Sequence, residues 1–104
     1  MERYRVDISE PAENDLRDIV RYISTNLSEP MAALNTMNSI EDAMKKLQNM
    51  PQKYPLAMDD RLATSGYRKL IVKNYIVFFT INEKLRVVDV ERILYKRRDW
   101  LRIL

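Results

Sequence analysis

Cysteine and histidine are both missing from this sequence. Their absence excludes disulfides and thiolate nucleophiles, most zinc and copper sites, and imidazole acid–base chemistry together. No metal and no cofactor is expected. A cysteine-free chain is compatible with a reducing cytosol. No apolar run approaches the roughly 20 residues that cross a bilayer. The first ten residues alternate charged with apolar side chains instead of forming a signal peptide. A cytoplasmic location without a membrane partner is therefore expected. Glycine is almost absent as well, Gly66 being the only one.

What is present describes a small globular protein. The chain has 104 residues, 46% hydrophobic and 32% charged, enough for one domain over residues 1–104 with one core. Its net charge of +3 hides a division along the chain. Residues 1–60 carry 7 Lys/Arg against 11 Asp/Glu, whereas residues 61–104 carry 11 against 4. The first part reads as a solvated acidic scaffold. The second is a candidate surface for phosphates or an acidic partner.

Periodicity assigns the elements. Tyr4, Val6 and Ile8 alternate with Arg5, Asp7 and Ser9, the period of a half-buried strand. Ser9 suits a helix cap, with Pro11 in the first turn and Glu10, Glu13 and Asp15 where the helix dipole favours negative charge. Ala12, Leu16, Ile19, Val20, Ile23 and Leu27 then form an apolar stripe. A break at Asn26–Pro30, with Ser28 as a cap, leads to a second stripe through Ala33, Met37, Ile40, Met44 and Leu47. Met50-Pro51 stops it. Two such helices, each about 20 residues by stripe count, fold back as a hairpin.

Residues 51–66 lack a period and read as a loop. Strands follow at 67–73, 75–81 and 85–94, the last two joined by a turn at 82–84. The ending, Lys96–Trp100 with a short apolar tail, reads as a last helical turn lying on the sheet. The expected class is α+β in the order β-α-α-β-β-β, with a helical hairpin packed on one face of a mostly antiparallel sheet.

Candidate functional residues concentrate in the basic part. Arg68, Lys69 and Lys73 lie on one strand, Arg92 on the last, and Arg97 and Arg98 just beyond it. Guanidinium and ammonium groups so placed supply donors to phosphate oxygens, and Tyr67, Tyr75, Tyr95 and Trp100 offer rings for base stacking. The alternatives are equally concrete: Trp100 and Tyr75 as core, Arg68 and Arg92 ion-paired with Glu91 or Asp89.

The element order, the acidic helical hairpin, the segment Tyr67–Asn82 (YRKLIVKNYIVFFTIN) and the ending Arg92–Trp100 (RILYKRRDW) resemble the RelE/ParE superfamily of toxins from type II toxin–antitoxin modules. The resemblance spans nearly the whole chain and is closest over 66–100. It implies an addiction or plasmid-stabilisation module whose toxin inhibits growth and is neutralised by a cognate antitoxin.

The superfamily divides by target. RelE-like members are ribosome-dependent mRNA interferases: a ribose 2′-hydroxyl attacks the adjacent phosphate, so the protein must activate a hydroxyl, stabilise a charged phosphorane and protonate a leaving oxygen. In that case Tyr95, Arg97 and Arg98 are the catalytic candidates, assisted by Lys69 or Lys73. The resemblance also implies an arginine just after the aromatic that opens the middle strand, where this sequence has Ile76. ParE-like members generally lack the nuclease constellation and poison DNA gyrase. The long hairpin and Ile76 bring the chain closer to this branch, in which Arg68, Lys69, Lys73, Arg92, Arg97 and Arg98 would contact the target. A non-toxic basic binding module is the remaining reading.

Overall fold

A computed structural model describes residues 3–57, 60–97 and 100–104, the side chains of Trp100 and Leu101 excepted. Strand β1 (Arg5–Ile8) leads directly into helix α1 (Glu10–Arg21). Ser9 makes that junction. Its hydroxyl accepts the Ala12 N–H at 3.1 Å and donates to the Glu91 carbonyl at 2.8 Å, capping the helix and tying it to the last strand. Pro11 and the acidic Glu10 and Glu13 complete a favourable first turn.

The first helix is shorter than its apolar stripe suggests, and it changes character. After 12 α-helical residues the chain widens into a π-helical segment, Tyr22–Asn26, closed by the Leu27 N–H donating to the Tyr22 carbonyl. Ser28 is not a cap. It takes a left-handed φ of 52° as the chain turns, and the Glu29 N–H reaches back to the Ile23 carbonyl. Helix α2 (Pro30–Lys46) then starts from Glu29, with Pro30 in its first turn and no side-chain cap. It has 17 residues, fewer than the stripe implied.

The segment 51–66 is not an irregular loop. It contains a 3-10 turn (Pro51–Lys53), a bridge from Leu56 to Arg68 and a short helix α3 (Asp60–Thr64). Gly66, at φ 83°, ends α3: its N–H meets the Ala63 carbonyl, and the Tyr67 N–H meets that of Leu62. Strands β2 (Arg68–Val72), β3 (Tyr75–Asn82) and β4 (Val87–Tyr95) follow, then helix α4 (Trp100–Ile103). Lys73 belongs to the β2–β3 turn, with φ 55°, and Leu85 to the β3–β4 turn, where 71% of it is exposed.

The sheet order is β1-β4-β3-β2, with β1 parallel to β4 and the other pairs antiparallel. A bulge shifts the β3–β4 register between Phe78 and Phe79. On one face Val77, Phe79, Val88, Val90 and Ile93 pack with Ala12, Ile40, Met44 and Leu47 of the hairpin. The opposite face is also covered. There Ile76, Phe78 and Leu94 pack with Ala57 and Leu62, and Ile103 and Leu104 lie against them. Coverage on both faces explains the unbroken Ile76-Val77-Phe78-Phe79 run: a strand exposed on one face would alternate. All four are at most 3% exposed.

Candidate functional site

Helix α1 turns a stripe of side chains toward the end of the sheet. Asp15, Asp18, Ile19 and Tyr22 follow at helical spacing, and all line a cleft of about 650 Å³. Leu27 borders it from the end of the π-helical segment. Its other wall is Asn74 and Tyr75 at the start of β3, with Ile93 and Tyr95 near the end of β4. Tyr75 and Tyr95 are register partners across β3 and β4. Their rings meet edge-on with centroids 5.9 Å apart. The π-helical widening begins at Tyr22, and such departures from α-helix recur where helices carry function.

Asp15 has a structural task. Its carboxylate accepts the Arg92 Nε and Nη2 hydrogens at 2.7 and 2.8 Å and the Ile93 N–H at 3.0 Å. Strand β1 has ended at Ile8, opposite Val90, so this carboxylate occupies the edge of β4 that no strand covers. The pair holds the Arg92 guanidinium above its ordinary pKa, chiefly through the hydrogen bonds to Asp15. Asp18, one turn on, is exposed. Burial pushes the Tyr75 hydroxyl pKa up, and the neighbouring Tyr95 and Tyr22 add to the shift. Tyr75 is thus a neutral donor near pH 7, not an anionic base.

A second, smaller cleft of about 420 Å³ opens on the opposite face of the sheet, bordered by Arg61, Ser65, Tyr67, Thr80, Glu91 and Leu104. The Tyr67 hydroxyl pKa is raised there by burial and by the charge of Glu91. Among the described residues no group of three or more carboxylates could hold a metal ion.

A family model described as the ParE toxin of type II toxin–antitoxin system, parDE, matches residues 6–100. The chain belongs to the ParE toxin family. Among solved structures, this ParE-type toxin is similar to a chain of the chromosomal ParDE TA system from P. aeruginosa. The TM-score is 0.73 at 19% identity, over 88% of this chain and 95% of that one. It is also similar to a chain of the RelBE2 toxin–antitoxin complex from Mycobacterium tuberculosis, with TM-score 0.65 at 18% identity, over 94% and 97%. At such identities the likeness is one of fold. No curated protein sequence matches.

Among the described residues, the cations singled out in the sequence do not form a single cluster. Arg68 sits opposite Phe79 in the register and Lys69 opposite Phe78, so the two point to different faces. The Arg68 Nη1 donates to the backbone carbonyls of Tyr54, at 2.6 Å, and Gln52, at 3.1 Å, pinning the 3-10 turn to β2. Arg92 is held by Asp15, not by Glu91 or Asp89. Lys73 and Arg97 are exposed in turns at the same end of the sheet, where the Lys96 N–H bonds the Asn74 carbonyl. Lys73 is therefore off the strand that carries Lys69. Arg98 lies outside the described residues, as does the side chain of Trp100. Tyr75 is half-buried against the helix-side core, and Tyr95 is 40% exposed.

Asp15, Asp18 and Tyr22 escaped the sequence reading. Their only signal was three polar positions at steps of three and four beside Ile19 on the α1 stripe.

Proposed function

We propose that this ParE-type toxin inhibits bacterial growth by acting on DNA gyrase and is neutralised by a cognate antitoxin, residues 1–104 acting as one toxin domain. The observation that carries this reading is the state of the groups an RNase would need. Ile76 occupies the middle-strand position of the RelE-like arginine and is 3% exposed, packed with Phe78 and Leu94. Arg68 and Arg92 are spent on backbone carbonyls and on Asp15. Tyr95 and Arg97 are exposed at the rim of the sheet. The relatives of known structure come from a ParDE system and from a RelBE2 toxin–antitoxin complex, which supports an antitoxin partner here.

On this reading Lys69, Lys73, Arg97 and Arg98 are target-contacting side chains, while Arg68 and Arg92 maintain the fold. Expression of the chain alone should arrest growth and induce the DNA-damage response with messenger RNA intact. Purified toxin should inhibit gyrase supercoiling, and a Lys73→Glu/Arg97→Glu double variant should weaken that inhibition several-fold. Normal supercoiling at saturating toxin, together with codon-linked cuts on translated messages by primer extension, would replace this reading with ribosome-dependent mRNA cleavage.

A further inference from the structure

The α1–β3–β4 cleft has a chemical character unlike the rest of this basic chain. Among the described residues its ionisable lining consists of two carboxylates and three tyrosines, with no lysine or arginine. Arg92 neutralises Asp15 from behind, which leaves Asp18 as the charge presented to a ligand. Tyr22 is 53% exposed, Leu27 51% and Tyr95 40%, an accumulation of exposed ring and aliphatic surface around one opening. Tyrosine rings attract cations through their electronegative faces, so a lining of three tyrosines and a carboxylate favours a cation over an anion. A phosphate entering here would meet the Asp18 charge, with no cation among the described lining residues to offset it.

We propose that this cleft receives an arginine side chain of the antitoxin, its guanidinium lying on the tyrosine rings and pairing with Asp18. Arginine fits better than lysine because its flat guanidinium stacks on rings and presents two parallel donors to one carboxylate. Its apolar stem has Leu27 and Ile19 to lie on. The volume, about 650 Å³, holds the side chain together with flanking backbone. Arginine and tyrosine are also the residues that most often dominate the energy of protein interfaces. The antitoxin as owner of that arginine rests on the reading above; the site itself rests on the geometry.

The test is an NMR titration of the full chain with N-acetyl-arginine amide, N-acetyl-citrulline amide and GMP as probes. Citrulline keeps the shape of arginine and removes its charge. Saturable shifts confined to Asp18, Tyr22, Asn74, Tyr75 and Tyr95 are expected with the arginine probe only. Asp18→Asn should weaken its binding about fivefold, the order for losing one half-exposed charged contact. Asp18 makes no side-chain hydrogen bond that the fold needs, so the variant should melt with the parent. Equal binding of citrulline, tighter binding of GMP at the same residues, or no shift at the cleft would each overturn the proposal. A chain that leaves growth untouched yet binds the arginine probe here removes the toxin reading and keeps the site. A toxic chain whose cleft ignores the probe removes the site alone.

Discussion

Removing the Asp15 carboxylate should destabilise this protein far more than removing a surface carboxylate of the same apparent geometry. The Arg92–Asp15 and Arg5–Asp7 pairs are both bidentate, at 2.7 and 2.8 Å and at 2.9 and 3.0 Å. Burial separates them. The side chains of the first pair are 26% and 12% exposed, those of the second 70% and 47%. Asp15→Ala also strands the Ile93 N–H on an uncovered strand edge. A partly buried pair lies between the exposed limit of at most about 1 kcal/mol and the buried limit of about 3–5 kcal/mol, so a loss of about 2–3 kcal/mol follows. With an unfolding entropy of about 2.1 cal/mol/K per residue, the melting temperature should fall by about 9–14 °C. Asp7→Ala should lower it by no more than about 5 °C. Thermal unfolding by circular dichroism measures both, and a double-mutant cycle with Arg92→Met isolates the pair. Equal losses for Asp15→Ala and Asp7→Ala, or additivity in the cycle, would refute burial as the deciding factor. The same experiment bears on function, because an Arg92 variant that loses activity through unfolding says nothing about target contact.

Three further outcomes follow from the geometry. Phe78→Ala, at a fully buried position on the sheet face away from the hairpin, should cost about 3–5 kcal/mol in urea unfolding, whereas Ile71→Ala, at a residue 60% exposed, should stay within about 0.5 kcal/mol. Gly66→Ala should cost about 1–2 kcal/mol, entirely from the left-handed φ of 83°, since an added Cβ there meets no atom within 4 Å; an unchanged melting temperature would remove that argument. Because burial raises the folded-state pKa of Tyr75 above 10.0, its contribution to stability is complete below the unfolded value and is lost as pH rises through the folded one. The melting temperature should therefore decline in alkali, and Tyr75→Phe should flatten that decline, with Tyr67, raised chiefly by burial, and Tyr4, raised chiefly by its hydrogen bond to Glu83, supplying what remains.

Several elements were legible because their causes are local. Ser9, Pro11 and the acidic first turn announce α1, and Pro30 starts α2 where the sequence places it. The Val87 to Leu94 stretch is rich enough in β-branched residues to read as a strand, and the element order follows from such patterns. The π-helical segment did not follow, since its residues continue the apolar stripe and only the backbone geometry distinguishes it. The part of the sheet's second cover that Ala57 and Leu62 supply was also missed. Residues 51–66 show no period because their helix is only five residues long, too short to repeat.

Local sequence determined the strands, the helical hairpin and the family to which the chain belongs, because periodicity, caps and short motifs depend on neighbours in the chain. The fate of each charge was decided only in three dimensions. Arg68 lies 14 residues from the carbonyl of Tyr54, and Arg92 lies 77 from Asp15. Which cation is consumed by the fold and which is left for a partner depends on strand register and on the bulge beside Phe78. No spacing along the chain encodes those pairings, and the cleft that joins α1 to the ends of β3 and β4 exists only once they are made.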